Sequence, residues 1–180
     1  AVIGTVAAKL GSIDVAVLNT RYRIMWIVLI LVSALSSAAG IKTTIRLGKM
    51  DHVGAKQAAW VGIMMPAIVL FFVGFLVIWK SRWLGRIFTT DKEFLDLFEQ
   101  ARWPFAMTLV LMNLSCAIEC IPYSMGRTKE VFWYGFIASW GGQVPGAILL
   151  TRFWRDDLVG LYCGMALGYF VLTILYSAIV

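Results

Sequence analysis

Residues 113–122 read NLSCAIECIP. Within an otherwise apolar stretch they hold an amide (Asn113), a hydroxyl (Ser115), two thiols (Cys116 and Cys120) and one acid (Glu119). An acid on an apolar helix is costly in a membrane and by default marks function, such as a group that loads and releases a proton. Asn113 cannot carry a proton. It can bond between helices or line a polar solute cavity. Cys116 and Cys120 stand four residues apart on one helix face, which suits a metal only if histidines or further acids join them. The sole histidine, His52, lies on another segment. The thiols, Cys163 included, therefore read as small apolar residues, and no metal or other cofactor is expected.

Which solvent surrounds this stretch decides its chemistry. The 180 residues are 61% hydrophobic and 14% charged, with mean hydropathy +0.82. Soluble domains run near half apolar and a quarter charged. The charges also cluster. Gln57–Trp79 is 23 residues without a formal charge, Val131–Thr151 is 21 and Leu158–Val180 is 23. About 20 such residues cross the hydrocarbon as a helix. Ile24–Gly40 adds a shorter run preceded by Arg21 and Arg23, which can snorkel to the headgroups so that the helix begins near Asp14. Pro104–Tyr123 is broken only by Asn113 and Glu119. The expectation is an all-α, polytopic transmembrane bundle, one domain over 1–180, with spans at 15–40, 57–79, 104–123, 131–151 and 158–180. The opening AVIGTVAAKLGS reads as the end of a further apolar helix, and the chain starts on Ala, so a piece of a longer protein is expected.

Between the spans the punctuation is specific. Thr90 and Glu93 have capping-box spacing and predict an interfacial helix over 91–100, with Phe94, Leu95, Leu97 and Phe98 on its apolar face. Six tryptophans (60, 79, 83, 103, 133 and 154) sit near segment ends, as an aromatic belt requires. Gly160, Gly164 and Gly168 recur every four residues and would let another helix approach closely. Pro66 and GGQVPG (141–146) predict breaks within spans. The net charge of +6 is dispersed over short loops, which points to lipid headgroups as neighbours and not to nucleic acid. Lys and Arg are too evenly divided between the two sides to set orientation. A nucleophile–base pair, a phosphate loop and a metal constellation are all lacking, which excludes a soluble enzyme.

In order along the chain, four motifs resemble one family. SSAAGIKTTIRLGKMDHVGAKQAAW is similar to the end of the eighth helix of multidrug and toxic compound extrusion (MATE) transporters. WLGRIFTTDKEFLDL resembles the stretch between that family's ninth and tenth helices. IPYSMGRTKEVFW resembles its tenth-helix exit, and DDLVGLYCGMALGYFVL the approach and body of its twelfth. The resemblance implies the C-terminal lobe, from the end of helix seven through helix twelve, of a twelve-helix antiporter. It implies export of small organic solutes against protons or sodium, with RLGKMDHVGAK and GRTKE cytoplasmic and TRFWRDD opposite. The partners implied are membrane lipid and the N-terminal lobe of the same transporter, or other membrane subunits; the membrane itself is unspecified. Many members carry an acid midway along the tenth helix; here that position falls on Met112 or Asn113, and neither titrates. A second reading follows from that departure: a transport-inactive accessory or structural subunit of a larger membrane complex.

By helical rise Asn113 lies about 13 Å beyond Pro104, and Glu119 about 22 Å. Their side chains diverge by about 120°, which groups Asn113 with Cys116 and Cys120, and Glu119 with Ser115, Met112 and Thr108. Three readings of Glu119 stay open: an ionised group near the interface, paired with Arg127 or Lys129 or hydrated; a neutral buried acid bonded to another span; or a coupling acid. Asn113, Ser115 and Glu119 are the candidate solute and ion pathway residues.

Overall fold

The computed structural model describes residues 12–153 and 158–178, and every regular element among them is helical. In order they are α1 (Ser12–Gly48), α2 (His52–Trp79), the short α3 (Ser81–Arg86), α4 (Lys92–Gln100), α5 (Arg102–Ser124), α6 (Thr128–Ile137), a π-helical segment (Ala138–Gln143), α7 (Val144–Phe153) and α8 (Leu158–Ser177). Four of them, α1, α2, α5 and α8, are long and apolar enough to cross a membrane. A helix meets every backbone hydrogen bond within itself, as hydrocarbon demands. The expected terminal stub over residues 1–11 lies outside the described residues, as do Trp154 and the end of TRFWRDD.

The expected span 131–151 falls on α6, the π segment and α7, which follow one another without a gap from Thr128 to Phe153. The break expected at GGQVPG is thus a local widening of the helix. Pro145 sits just after the π segment, so its missing N–H falls where the regular hydrogen-bond ladder has already changed register. Pro66 likewise sits inside α2 without ending it.

α1 and α2 both overrun their apolar sequences, and the turn between them explains how. Asp51 caps α2, its Oδ1 accepting from the Gly54 amide at 2.9 Å while its Oδ2 pairs with Arg46 at 3.1 Å. Met50 takes the left-handed conformation, φ 58°, that reverses the chain. At the same end of the bundle, Gly126 (φ +81°) turns α5 into α6.

Asp91, not Thr90, caps α4: its Oδ1 accepts from the Glu93 amide at 3.1 Å, and its own amide donates to the Thr89 hydroxyl. The apolar face of α4 is drawn into the bundle. Phe94, Leu95 and Phe98 are buried in one cluster with Phe105, Leu109, Leu161 and Met165. α5 is the central helix, packed against α1, α2 and α8, while α7 packs along α8. α2 is the least covered. Trp60, Met64, Phe71, Phe72, Phe75 and Trp79 project from it, a surface suited to lipid.

Candidate functional site

The polar groups of α5 divide into spent and unspent. Ser115 is fully buried and turns its hydroxyl onto its own helix, donating to the Met112 carbonyl at 3.2 Å. Thr108 bonds both within α5, to the Pro104 carbonyl at 2.8 Å, and across to the Tyr162 carbonyl of α8 at 3.0 Å. Asn113 is also fully buried. Its Nδ2 donates to the Leu109 carbonyl of its own helix at 2.8 Å, and its Oδ1 has no partner among the described residues. A buried acceptor left unmatched is costly, and a proton-bearing visitor would relieve it.

Glu119 is half-buried. It lies within electrostatic reach of Cys116 and Cys120 on α5 and of Tyr176 on α8. Among the described residues no ion pair involves Glu119. Arg127, proposed as its partner, instead meets Glu130 at 3.9 Å, because both lie on the first turn of α6. Around the carboxylate the polar surface continues. Ser37 of α1 lies close to Cys120, and Tyr169 of α8 lies close to Gln143 of the π segment. Glu119, Cys116 and Cys120 thus sit where α5 meets α1 and α8, while Asn113 is buried with its one bond to its own helix. Among the described residues no three His, Cys, Asp or Glu side chains gather into a metal set.

Arg21 overturns its expected role. It does not snorkel to the headgroups; it is fully buried. Its guanidinium donates to the Ala101 carbonyl at 3.2 Å and to the Phe98 carbonyl, the last carbonyls of α4. Three rings enclose it, with Phe98, Phe105 and Tyr162 at 4.6, 4.8 and 5.0 Å from Cζ. A cation at a helix C-terminus meets the negative end of the dipole, and the ring faces add cation–π attraction. Its partners all come from more than 70 positions along the chain, which leaves no local signal. The remaining hint is an arginine inside an apolar run.

Two of the twelfth-helix-like glycines are points of close backbone approach. A Cβ on Gly164 would stand 2.5 Å from the Ala147 nitrogen and 2.6 Å from the Gly146 carbonyl carbon. One on Gly168 would collide with the backbone of Gln143. Gly160 is buried on the same helix. These glycines seat α8 against α7 and the π segment.

Comparison with known proteins bears on this arrangement. The MatE family profile matches residues 1–149. Multidrug and toxin extrusion protein 2 of Homo sapiens is 24% identical over 169 residues, covering 94% of this chain and 28% of that protein. Multidrug resistance protein NorM of Photobacterium profundum is 26% identical over 177 residues, covering 89% of this chain and 38% of that protein. The crystal structure of the eukaryotic MATE transporter AtDTX14 superposes with a TM-score of 0.83 at 20% identity, over 94% of this chain and 37% of that one. The chain thus spans roughly a third of the length of the relatives it matches.

Proposed function

This chain belongs to the MatE family and is a multi-pass integral membrane protein, and on that premise we propose that it is the C-terminal half of a cation-coupled organic-solute antiporter. The observation that carries the reading is Glu119, a half-buried acid within a membrane-spanning helix that forms no ion pair among the described residues and lies within electrostatic reach of Tyr176 on α8. Glu119 is the coupling acid, loading and releasing a proton or a sodium ion as the bundle opens to either side. Asn113 is the acceptor that meets the solute or a hydrated ion. Ser115 shapes the helix locally, and Gly160, Gly164 and Gly168 are packing positions of α8, two of them set against α7 and the π segment. The chain crosses the membrane five times, at 15–40, 57–79, 104–123, 131–151 and 158–180, and its activity is transport without catalysis.

The coupling acid is tested in the full-length protein reconstituted in vesicles, with uptake of a fluorescent organic solute driven in turn by a proton and by a sodium gradient. Glu119→Gln should abolish the gradient-driven component and leave the helical content unchanged. Driven uptake at the unmodified rate in that variant would remove Glu119 from the pathway.

The sealed state of Asn113 favours one other reading. The resemblance places a midhelix acid at Met112 or Asn113, yet neither titrates and Asn113 is fully buried. In that reading the chain is a transport-inactive subunit of a larger membrane complex. Absence of driven uptake by the unmodified full-length protein under either gradient would decide for it.

A further inference from the structure

A groove between α1 and α2 belongs to neither reading. Its walls are apolar or small over most of its length, with Ala58, Gly62 and Met65 of α2 facing Leu35 and Ala38 of α1. The two helices run antiparallel, and Gly62 lets them nearly touch: a Cβ there would stand 2.5 Å from that of Ala39. The groove encloses about 380 Å³. Its polar residues gather at one end, where Lys42 and Arg46 of α1 lie level with Gln57 of α2. From Gly54 to Pro66 the α2 wall rises about 18 Å, against about 15 Å of hydrocarbon in one leaflet.

We propose that this groove binds one anionic phospholipid, its phosphate on Lys42 and Arg46 and one acyl chain laid along the α1–α2 seam. Three features choose this occupant. The outer lips, Leu35, Val61 and Met65, are exposed apolar side chains continuous with the bare face of α2, so whatever fills the groove must itself be apolar along its side. Charge enters only at the water end, and there it is positive. Arg46 already holds Asp51 at 3.1 Å, whereas Lys42 is paired with no carboxylate among the described residues and is the stronger attractor. Basic pockets between spanning helices recognise anionic headgroups in this way. The length matches one leaflet, which an acyl chain fills and a compact solute does not.

The test uses the full-length protein in phosphatidylcholine vesicles containing spin-labelled phosphatidylglycerol or spin-labelled phosphatidylcholine, with the motionally restricted fraction of each label read by electron spin resonance. The unmodified protein should restrict the anionic label in preference to the zwitterionic one. Lys42→Gln should cut that preference about fivefold, the effect of one cation near a membrane surface. Lys49→Gln removes a charge of the same loop outside the groove and should leave the preference intact. Ala38→Phe changes no charge but blocks the groove, and should abolish it. Equal restriction of both labels by the unmodified protein would overturn the proposal, as it would if another part of the chain covers the groove. A preference that survives Ala38→Phe would overturn it too, by assigning the selectivity to the charged loop surface alone.

Discussion

Arg21 and Glu119 are both ionisable groups within helical spans, about 27 Å apart along α5 if Arg21 is placed level with Ala101, and the fold treats them in opposite ways. Arg21 is sealed by three rings and two helix-terminal carbonyls drawn from α4, α5 and α8. Glu119 is half-buried, within electrostatic reach of two thiols and a phenol but paired with no counter-charge among the described residues. A buried charge is tolerated when fixed dipoles and ring faces replace most of its water, and Arg21 then serves as a bolt although its Nε has no partner among the described residues. A charge left partly unmatched retains a change of state to make. The difference separates what holds this bundle together from what the bundle is for.

Removing the bolt should have the largest effect. Arg21→Ala takes the guanidinium from the Phe98 and Ala101 carbonyls, leaving them the Ser81 hydroxyl at 3.4 Å and the Phe105 amide at 3.0 Å, and opens a void among the three rings. Stability should fall by on the order of 3–5 kcal/mol, read as the unfolding midpoint of the full-length protein in detergent. Arg21→Lys keeps the charge but loses the planar fork that spans two carbonyls, so it should recover only part of the loss. A midpoint unmoved by Arg21→Ala would mean that the cage is incidental and the comparison empty.

α8 joins the two regions, since its Tyr162 closes the cage and its Tyr176 adjoins Glu119. Gly164 lies between them, against the backbone of Ala147. Gly164→Leu should therefore push α8 off α7 and cost about 1–3 kcal/mol as overpacking. If the cage depends on the seating of α8, the double variant with Arg21→Ala should lose less than the two single losses combined. Full additivity would show that the two ends are held independently.

Much of this bundle was legible in the sequence, because the spans are set by transfer energy and that is a local property. The charge-free runs, the terminal tryptophans and the four-residue glycine repeat each follow from composition at known spacing. What the sequence withheld depends on competition between neighbours or on distant partners. α1 continues eight residues past Gly40, with the Thr43 and Thr44 hydroxyls spent on its own carbonyls at 2.9 and 3.0 Å, and ends where the turn through Met50 reverses the chain. The α4 cap falls on Asp91 because its carboxylate reaches the Glu93 amide first. GGQVPG predicted a break, but glycines that admit α8 also let the helix widen into a π segment and carry on. In the candidate site, the wheel angles on α5 placed Asn113 and Glu119 on different surfaces but could not say that Arg127 would turn to Glu130. The cage around Arg21 was invisible, since each of its partners comes from another helix.

The smallest expected change is the most telling for Glu119. Glu119→Gln replaces a carboxylate by a nearly isosteric amide. If the acid holds no counter-charge, the substitution removes no partner and should move stability by within about 0.5 kcal/mol. If Glu119 were instead a bolt like Arg21, the same change would strip a buried pair of its charge and cost about 3–5 kcal/mol. The unfolding midpoint of the full-length protein in detergent separates these outcomes by several degrees. A near-silent midpoint together with lost gradient-driven uptake would place the acid where only function needs it. A large fall in the midpoint would mean that both intramembrane charges are structural, and the polar band between α1, α5 and α8 would then have to work without a titratable acid of its own.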